Sequence, residues 1–218
     1  MTGNHWGYGK EDGPSAWLKN YPVAEGDRQS PIDIIPLQAS YDQSLGPIVI
    51  NYDQCISINI SNNGHSVVVE FDDTDDRSVI RGGPLDNPYR LKQFHFHWGG
   101  KGCHGSEHTV GGNGYASELH LVHWNAVKYK TFGEAATAPD GLAVLGIFLE
   151  TGDDHRWLHT ITDALYTVKF KSHRFQRLQP QMPPSQQPPL LDLLGVPDYT
   201  SLTRERHLDC PEGPDHCV

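Results

Sequence analysis

Between Pro31 and Leu149 turn signals cut the chain into short apolar or alternating runs, which confines this stretch to strands rather than long helices. Ile56-Ser57-Ile58-Asn59-Ile60 alternates strictly, and Val67-Val68-Val69-Glu70-Phe71 is rich in β-branched and aromatic residues. Asn62-Asn63-Gly64 and Gly82-Gly83-Pro84 punctuate the runs. Leu142 to Leu149 is an unbroken apolar stretch of the length expected for a strand buried on both faces, and Thr160 to Val168 has weak helical spacing. The predicted architecture is mainly β, a large sheet with short peripheral helices and no internal repeat. A length of 218 residues suits one substantial core rather than two.

Charge and cysteine content narrow the possible partners. A formal net charge of -10 argues against nucleic acid, whose binders usually present a basic face. No apolar run approaches the roughly 20 residues that span a bilayer, so no membrane segment is expected. Met1 to Trp6 lacks the basic start and apolar core of a secretory signal, which makes the cytoplasm the expected compartment. Cys55, Cys103, Cys210 and Cys217 show no framework spacing and read as reduced thiols. The expected working form is a monomer.

The histidines carry the chemistry. Phe94-His95-Phe96-His97-Trp98 sets two histidines two apart in a strand-like run, so both rings leave one face, and Gln93 shares that face one step earlier. In Glu118-Leu119-His120-Leu121-Val122-His123-Trp124 the same parity groups Glu118, His120 and Val122 and sends His123 to the other side, as a core or second-layer residue. His120 is therefore the better third ligand. If the two strands are neighbours, three neutral imidazoles with one open position form a catalytic zinc site, with Gln93 and Glu118 as acceptors for the ring N–H groups. A lone His-X-His is usually structural, so the third histidine carries the argument. The cupin alternative wants a carboxylate shortly after the second histidine, and Gly99 to His104 supplies none.

Gln29-Ser30-Pro31-Ile32, Asn62 to His65, Gly82 to Leu85, Gln93 to Trp98, Gly105-Ser106-Glu107-His108-Thr109, Glu118 to Trp124 and Asp140 to Val144 resemble the α-carbonic anhydrases in order and spacing. The likeness runs from residue 5 to about 171 and is greatest to a cytosolic form. It implies a carbonic anhydrase domain over residues 1–175, built on a large central twisted, mostly antiparallel sheet whose C-terminal strands are missing. It also implies reversible hydration of carbon dioxide to bicarbonate and a proton. The zinc ligands it implies are His95, His97 and His120. Zinc would lower the pKa of a bound water to about 7, a value that belongs to carbonic anhydrases and comes with the resemblance. His65 would be the proton shuttle, a role suited to the one side chain whose ordinary pKa lies near neutrality. The resemblance further makes Tyr8 and Asn63 part of the water network, where Val68 replaces a side chain that is often polar. Val122 and Val144 become the apolar wall for carbon dioxide, and Glu107 the carboxylate that orients a threonine hydroxyl.

That threonine is missing in register. Gln176 to Pro189 is rich in Gln and Pro, and residues 176–218 read as an aberrant, disordered tail. Codons for Leu190 to Val218 can be written so that, one nucleotide later, they spell a segment resembling the family's own continuation. The first two bases of each codon are largely fixed, so free third bases do not create such a match. The tail is thus expected to be a shifted frame beginning between Phe170 and Leu178. On this reading Thr203 has no catalytic role, and His207, Cys210, His216 and Cys217 are chance residues. The alternative to an active enzyme is a catalytically impaired zinc-binding fragment from a mis-spliced or misread transcript.

Overall fold

A computed structural model describes residues 6–52, 55, 57–99, 104–152, 168 and 174–176. The elements in order are α1 (Pro14–Trp17), β1 (Asp33–Ile34), β2 (Ile48–Tyr52), β3 (Ser57–Asn62), β4 (Val67–Phe71), β5 (Ser78–Gly82) and β6 (Leu85–Trp98). They continue with β7 (Thr109–Val110), β8 (Ser117–Trp124), α2 (Phe132–Ala136), β9 (Leu142–Leu149) and β10 (Arg174–Gln176). Eight strands form one sheet whose pairings are all antiparallel, while β1 and β7 form a small parallel pair. The mainly β architecture with short helices is therefore present.

β6 is the spine of the sheet. Its first half pairs with β5, its second half with β4, and β8 runs along it from Arg90 to Trp98. β3 and β4 form a hairpin around Asn63-Gly64-His65-Ser66, where Gly64 takes a positive φ of 90° that a side chain would resist. Ser66 Oγ then donates to Phe96 O at 2.6 Å, tying the hairpin to β6. β4 shows why alternation matters: Val67, Val69 and Phe71 are buried, and Val68 and Glu70 point to the other face. The core gathers the inward residues of β3, β4, β6 and β8, with Val168 fully buried against them.

The register of β6 on β8 contains one irregularity. Leu91 opposes His123, but the next partnership is Gln93 with Val122, so Lys92 is an extra residue on the β6 side. Buried positions on β6 accordingly change phase, from Tyr89 and Leu91 to Phe94 and Phe96.

One expectation is revised. The run Leu142 to Leu149 forms β9, but it alternates between exposed and half-buried instead of being covered on both faces. Its partner among the described residues is β8, and Val144 is 50% exposed. β10 pairs with β3, with Gln176 opposite Asn59. Ile56, the helical spacing from Thr160 onward except Val168, three of the four cysteines and residues 177–218 lie outside the described residues.

His123 faces the core, as its parity requires, and is 0% exposed. Its Nδ1 can only donate to the carbonyl of Ala143 at 3.2 Å, so Nε2 accepts from the Tyr52 hydroxyl at 2.6 Å. Burial pushes its pKa down from 6.5 to about 4. Unfolded chains bind a proton at this residue below pH 6.5, whereas the folded chain does so only below about 4. Its contribution is therefore intact above pH 6.5 and is lost as pH falls towards 4, by about 3 kcal/mol in all. Denaturant titrations across this window should show a decline, and His123→Gln should make it shallower.

Candidate metal centre

β6 and β8 bring the three predicted histidines together. His95 lies directly opposite His120, and His97 lies opposite Glu118, so Gln93, His95, His97, Glu118, His120 and Val122 share one face. The intervening Phe94, Phe96, Leu119 and Leu121 go to the core. Ring nitrogens of His95, His97 and His120 all lie within 4.8 Å of one another.

Hydrogen bonds decide which nitrogen each ring offers. His95 Nδ1 meets Gln93 Oε1 at 3.0 Å, so it carries the proton and leaves Nε2 bare. His120 Nε2 donates to Glu118 Oε1 at 2.7 Å, which leaves Nδ1 bare. His97 Nε2 lies 3.1 Å from His95 Nε2. A regular tetrahedral site with arms of about 2.05 Å has edges of about 3.3 Å, so the spacing suits a zinc-sized ion. Burial, with smaller effects of His97 and His120, lowers the His95 pKa to about 4, and burial also lowers that of His97 against the pull of Glu107. Both rings are thus neutral near pH 7, the form that ligates a metal.

Glu118 is the hub beneath these rings. It is 1% exposed and accepts four hydrogen bonds: from His120 Nε2 and His108 Nδ1 on Oε1, both at 2.7 Å, and from the N–H groups of Glu107 and His108 on Oε2, at 2.9 and 2.8 Å. Burial alone would raise its pKa, but the bonds from His120 and His108 outweigh it and hold the carboxyl below the usual value. His108, Glu118 and His120 also form a compact trio that could hold a metal. Their facing atoms are already spent on one another in hydrogen bonds.

The other predicted residues fall around this centre. Val122 is buried beside the ligands and pairs with the exposed Val144. Glu107 was expected to orient a threonine hydroxyl; among the described residues its carboxylate instead accepts from Tyr8 Oη at 3.0 Å and approaches His97 Nε2 at 3.2 Å. Burial, then the Glu107 charge and this bond, push the Tyr8 pKa up to about 12. Tyr8 also packs edge-on against Trp6 and Trp17, with ring centroids 6.1 and 5.7 Å apart. Asn63 Oδ1 accepts from the N–H groups of His65 and Ser66 at 2.9 and 2.8 Å, so its side-chain oxygen builds the turn. The exposed His65 ring stacks on Trp6 at 4.1 Å between centroids. The sequence reading missed His108 as a partner of Glu118, because residues 104–108 are not in a strand and carry no periodic signal.

An antiparallel β scaffold that turns three imidazoles towards one point presents a group that could hold a metal ion. Residues 12–195 match the eukaryotic-type carbonic anhydrase family, and the chain belongs to it. It is 65% identical over 177 residues to carbonic anhydrase 7 of Homo sapiens, covering 81% of this chain and 67% of that protein. Carbonic anhydrase 7 of Mus musculus is 64% identical over the same shares of each chain. Carbonic anhydrase 1 of Mus musculus is 51% identical, over 80% of this chain and 67% of the relative.

Because Glu118 fixes the tautomer of His120, Glu118→Gln should weaken divalent-metal retention about 10–100-fold. Competition with a chelator measures this, and circular dichroism verifies that the sheet is retained.

Proposed function

We propose that the chain binds one Zn²⁺ through His95 Nε2, His97 Nε2 and His120 Nδ1 and uses it for the reversible hydration of carbon dioxide. The observation that carries this reading is the convergence of three imidazole nitrogens, two of them left without protons by Gln93 and Glu118. Zinc, when bound, supplies a nucleophile near neutral pH by lowering the pKa of a coordinated water to about 7, the value known for carbonic anhydrases.

The remaining work belongs to the protein. Gln93 and Glu118 hold the ligand rings in one tautomer and orientation. Val122 and Val144, paired across β8 and β9, offer carbon dioxide an apolar surface that does not compete for hydrogen bonds. His65 accepts the released proton and passes it to buffer, since its ring is exposed to solvent. Asn63 sets the turn that presents it, while Tyr8 and Glu107 provide hydroxyl and carboxylate groups along the way. We further read the chain as a cytoplasmic, monomeric enzyme that contributes to pH regulation; among the described residues no helix is long and apolar enough to cross a membrane.

Stopped-flow hydration of carbon dioxide tests this function on the full chain. The parent should contain about one zinc per chain, and His97→Asn should lose both metal and activity. Bound zinc without hydration would instead favour the catalytically impaired fragment. His65→Ala should slow turnover at least about tenfold in dilute buffer, with recovery when a small imidazole is added. Loss of rate without rescue would refute the shuttle assignment.

A further inference from the structure

We propose that Asn113 is a site of spontaneous deamidation, its side-chain amide being converted on the native fold to aspartate and isoaspartate. Two Asn-Gly steps occur in the chain, Asn63-Gly64 and Asn113-Gly114. Glycine opens the amide nitrogen after each asparagine to approach, because no Cβ stands beside it. Both steps lie between strands, so composition does not rank them; their hydrogen bonds do.

At the first step the reacting groups are held. Asn63 Oδ1 accepts from the N–H groups of His65 and Ser66 at 2.9 and 2.8 Å, and the Gly64 N–H donates to Asn62 Oδ1 at 2.9 Å. Ring closure swings the side chain onto that nitrogen and breaks these bonds. At the second step Val110 and Asn113 close a tight turn: the Val110 N–H donates to Asn113 O at 2.9 Å, and Gly111 and Gly112 take positive φ values of 57° and 81°. The backbone of Asn113 is fixed, but its exposed side chain is not. Nδ2 reaches Val110 O and Gly111 O only at 3.5 and 3.4 Å, the limit of hydrogen bonding. Among the described residues neither Asn113 Oδ1 nor the Gly114 N–H has a partner.

The Gly114 amide nitrogen attacks Asn113 Cγ as it loses its proton. A C–N bond forms, the Cγ–Nδ2 bond breaks, and Nδ2 leaves as ammonia with that proton. Water then opens the cyclic imide, its hydroxyl adding to a carbonyl carbon and its hydrogen returning to nitrogen. Cleavage between Cγ and the Gly114 nitrogen gives aspartate. Cleavage at the backbone carbonyl of Asn113 gives isoaspartate, with the chain running through the side-chain methylene. Either product adds a carboxylate next in the chain to Gly112, whose N–H donates to Asp33 Oδ1 at 2.8 Å. Asp33 Oδ1 also accepts from Thr109 Oγ1 at 2.7 Å, so repulsion between like charges there loosens the β1–β7 pair.

The test ages the full chain in mildly alkaline buffer made with ¹⁸O water and maps it by peptide mass spectrometry, so that each conversion during ageing carries a heavy oxygen. Asn113 should convert at least about tenfold faster than Asn63 in the native chain, and the two rates should converge in urea, where the hydrogen bonds are gone. Asn113→Gln should remove the fast conversion. In Asn113→Asp, hydrogen exchange should quicken at the N–H groups of Thr109 and Gly111, which donate to Ile32 O and Ile34 O. Conversion of Asn113 no faster than Asn63 in the native chain overturns the proposal. So does a gap that survives in urea, because the fold is then not its cause, or a fast conversion that survives in Asn113→Gln. Unchanged exchange in Asn113→Asp overturns the effect assigned to the new charge.

Discussion

The register of β6 on β8 is the constraint on which the site depends. Because His95 stands opposite His120 and His97 opposite Glu118, all three histidines and the acceptor that orients one of them come from facing positions on paired strands. Their backbone geometry is fixed by the ladder before any metal enters. The same pairing turns Phe94, Phe96, Leu119 and Leu121 to the core, so the force that buries these side chains also aims the histidines. A metal site built this way is preorganised by hydrophobic packing and needs few polar contacts to hold it.

Glu118 supplies most of those contacts. A buried carboxylate is costly unless its charge is well solvated by donors, and here two ring nitrogens and two backbone N–H groups serve. The arrangement joins β8 to the loop carrying Glu107 and His108, so the orientation of the third ligand and the placement of that loop are one property. Such a group is poorly replaceable: an amide has the shape but must also find acceptors for its own hydrogens.

Much of this was legible from residue parity. Residues two apart in a strand share a face whatever happens further along, which is why Gln93, His95 and His97 could be grouped, as could Glu118, His120 and Val122. His123 was separated from His120 by the same rule and lies in the core, against Tyr52. Parity does not reach residues outside strands, so the bond from His108 to Glu118 and the approach of Glu107 to His97 depended on the path of a loop. Nor does an apolar run state what covers it, and the exposure of Val144 on β9 could not be anticipated from its composition.

The extra residue at Lys92 gives this parity a hidden condition. Leu91 and His95 are both odd-numbered, yet Leu91 is in the core and His95 is on the site face, because the bulge between them reverses the phase of the strand. Counting back from Leu91 opposite His123 without the bulge, Phe94 would face His120 and His95 would face Leu119. The ligand pair would then enter the core and two phenylalanines would enter the site. The bulge at this one point therefore selects which side of the sheet is oily and which is chemical: were Lys92 drawn into a regular ladder, the sheet's chemistry would turn inside out with every histidine still in the sequence.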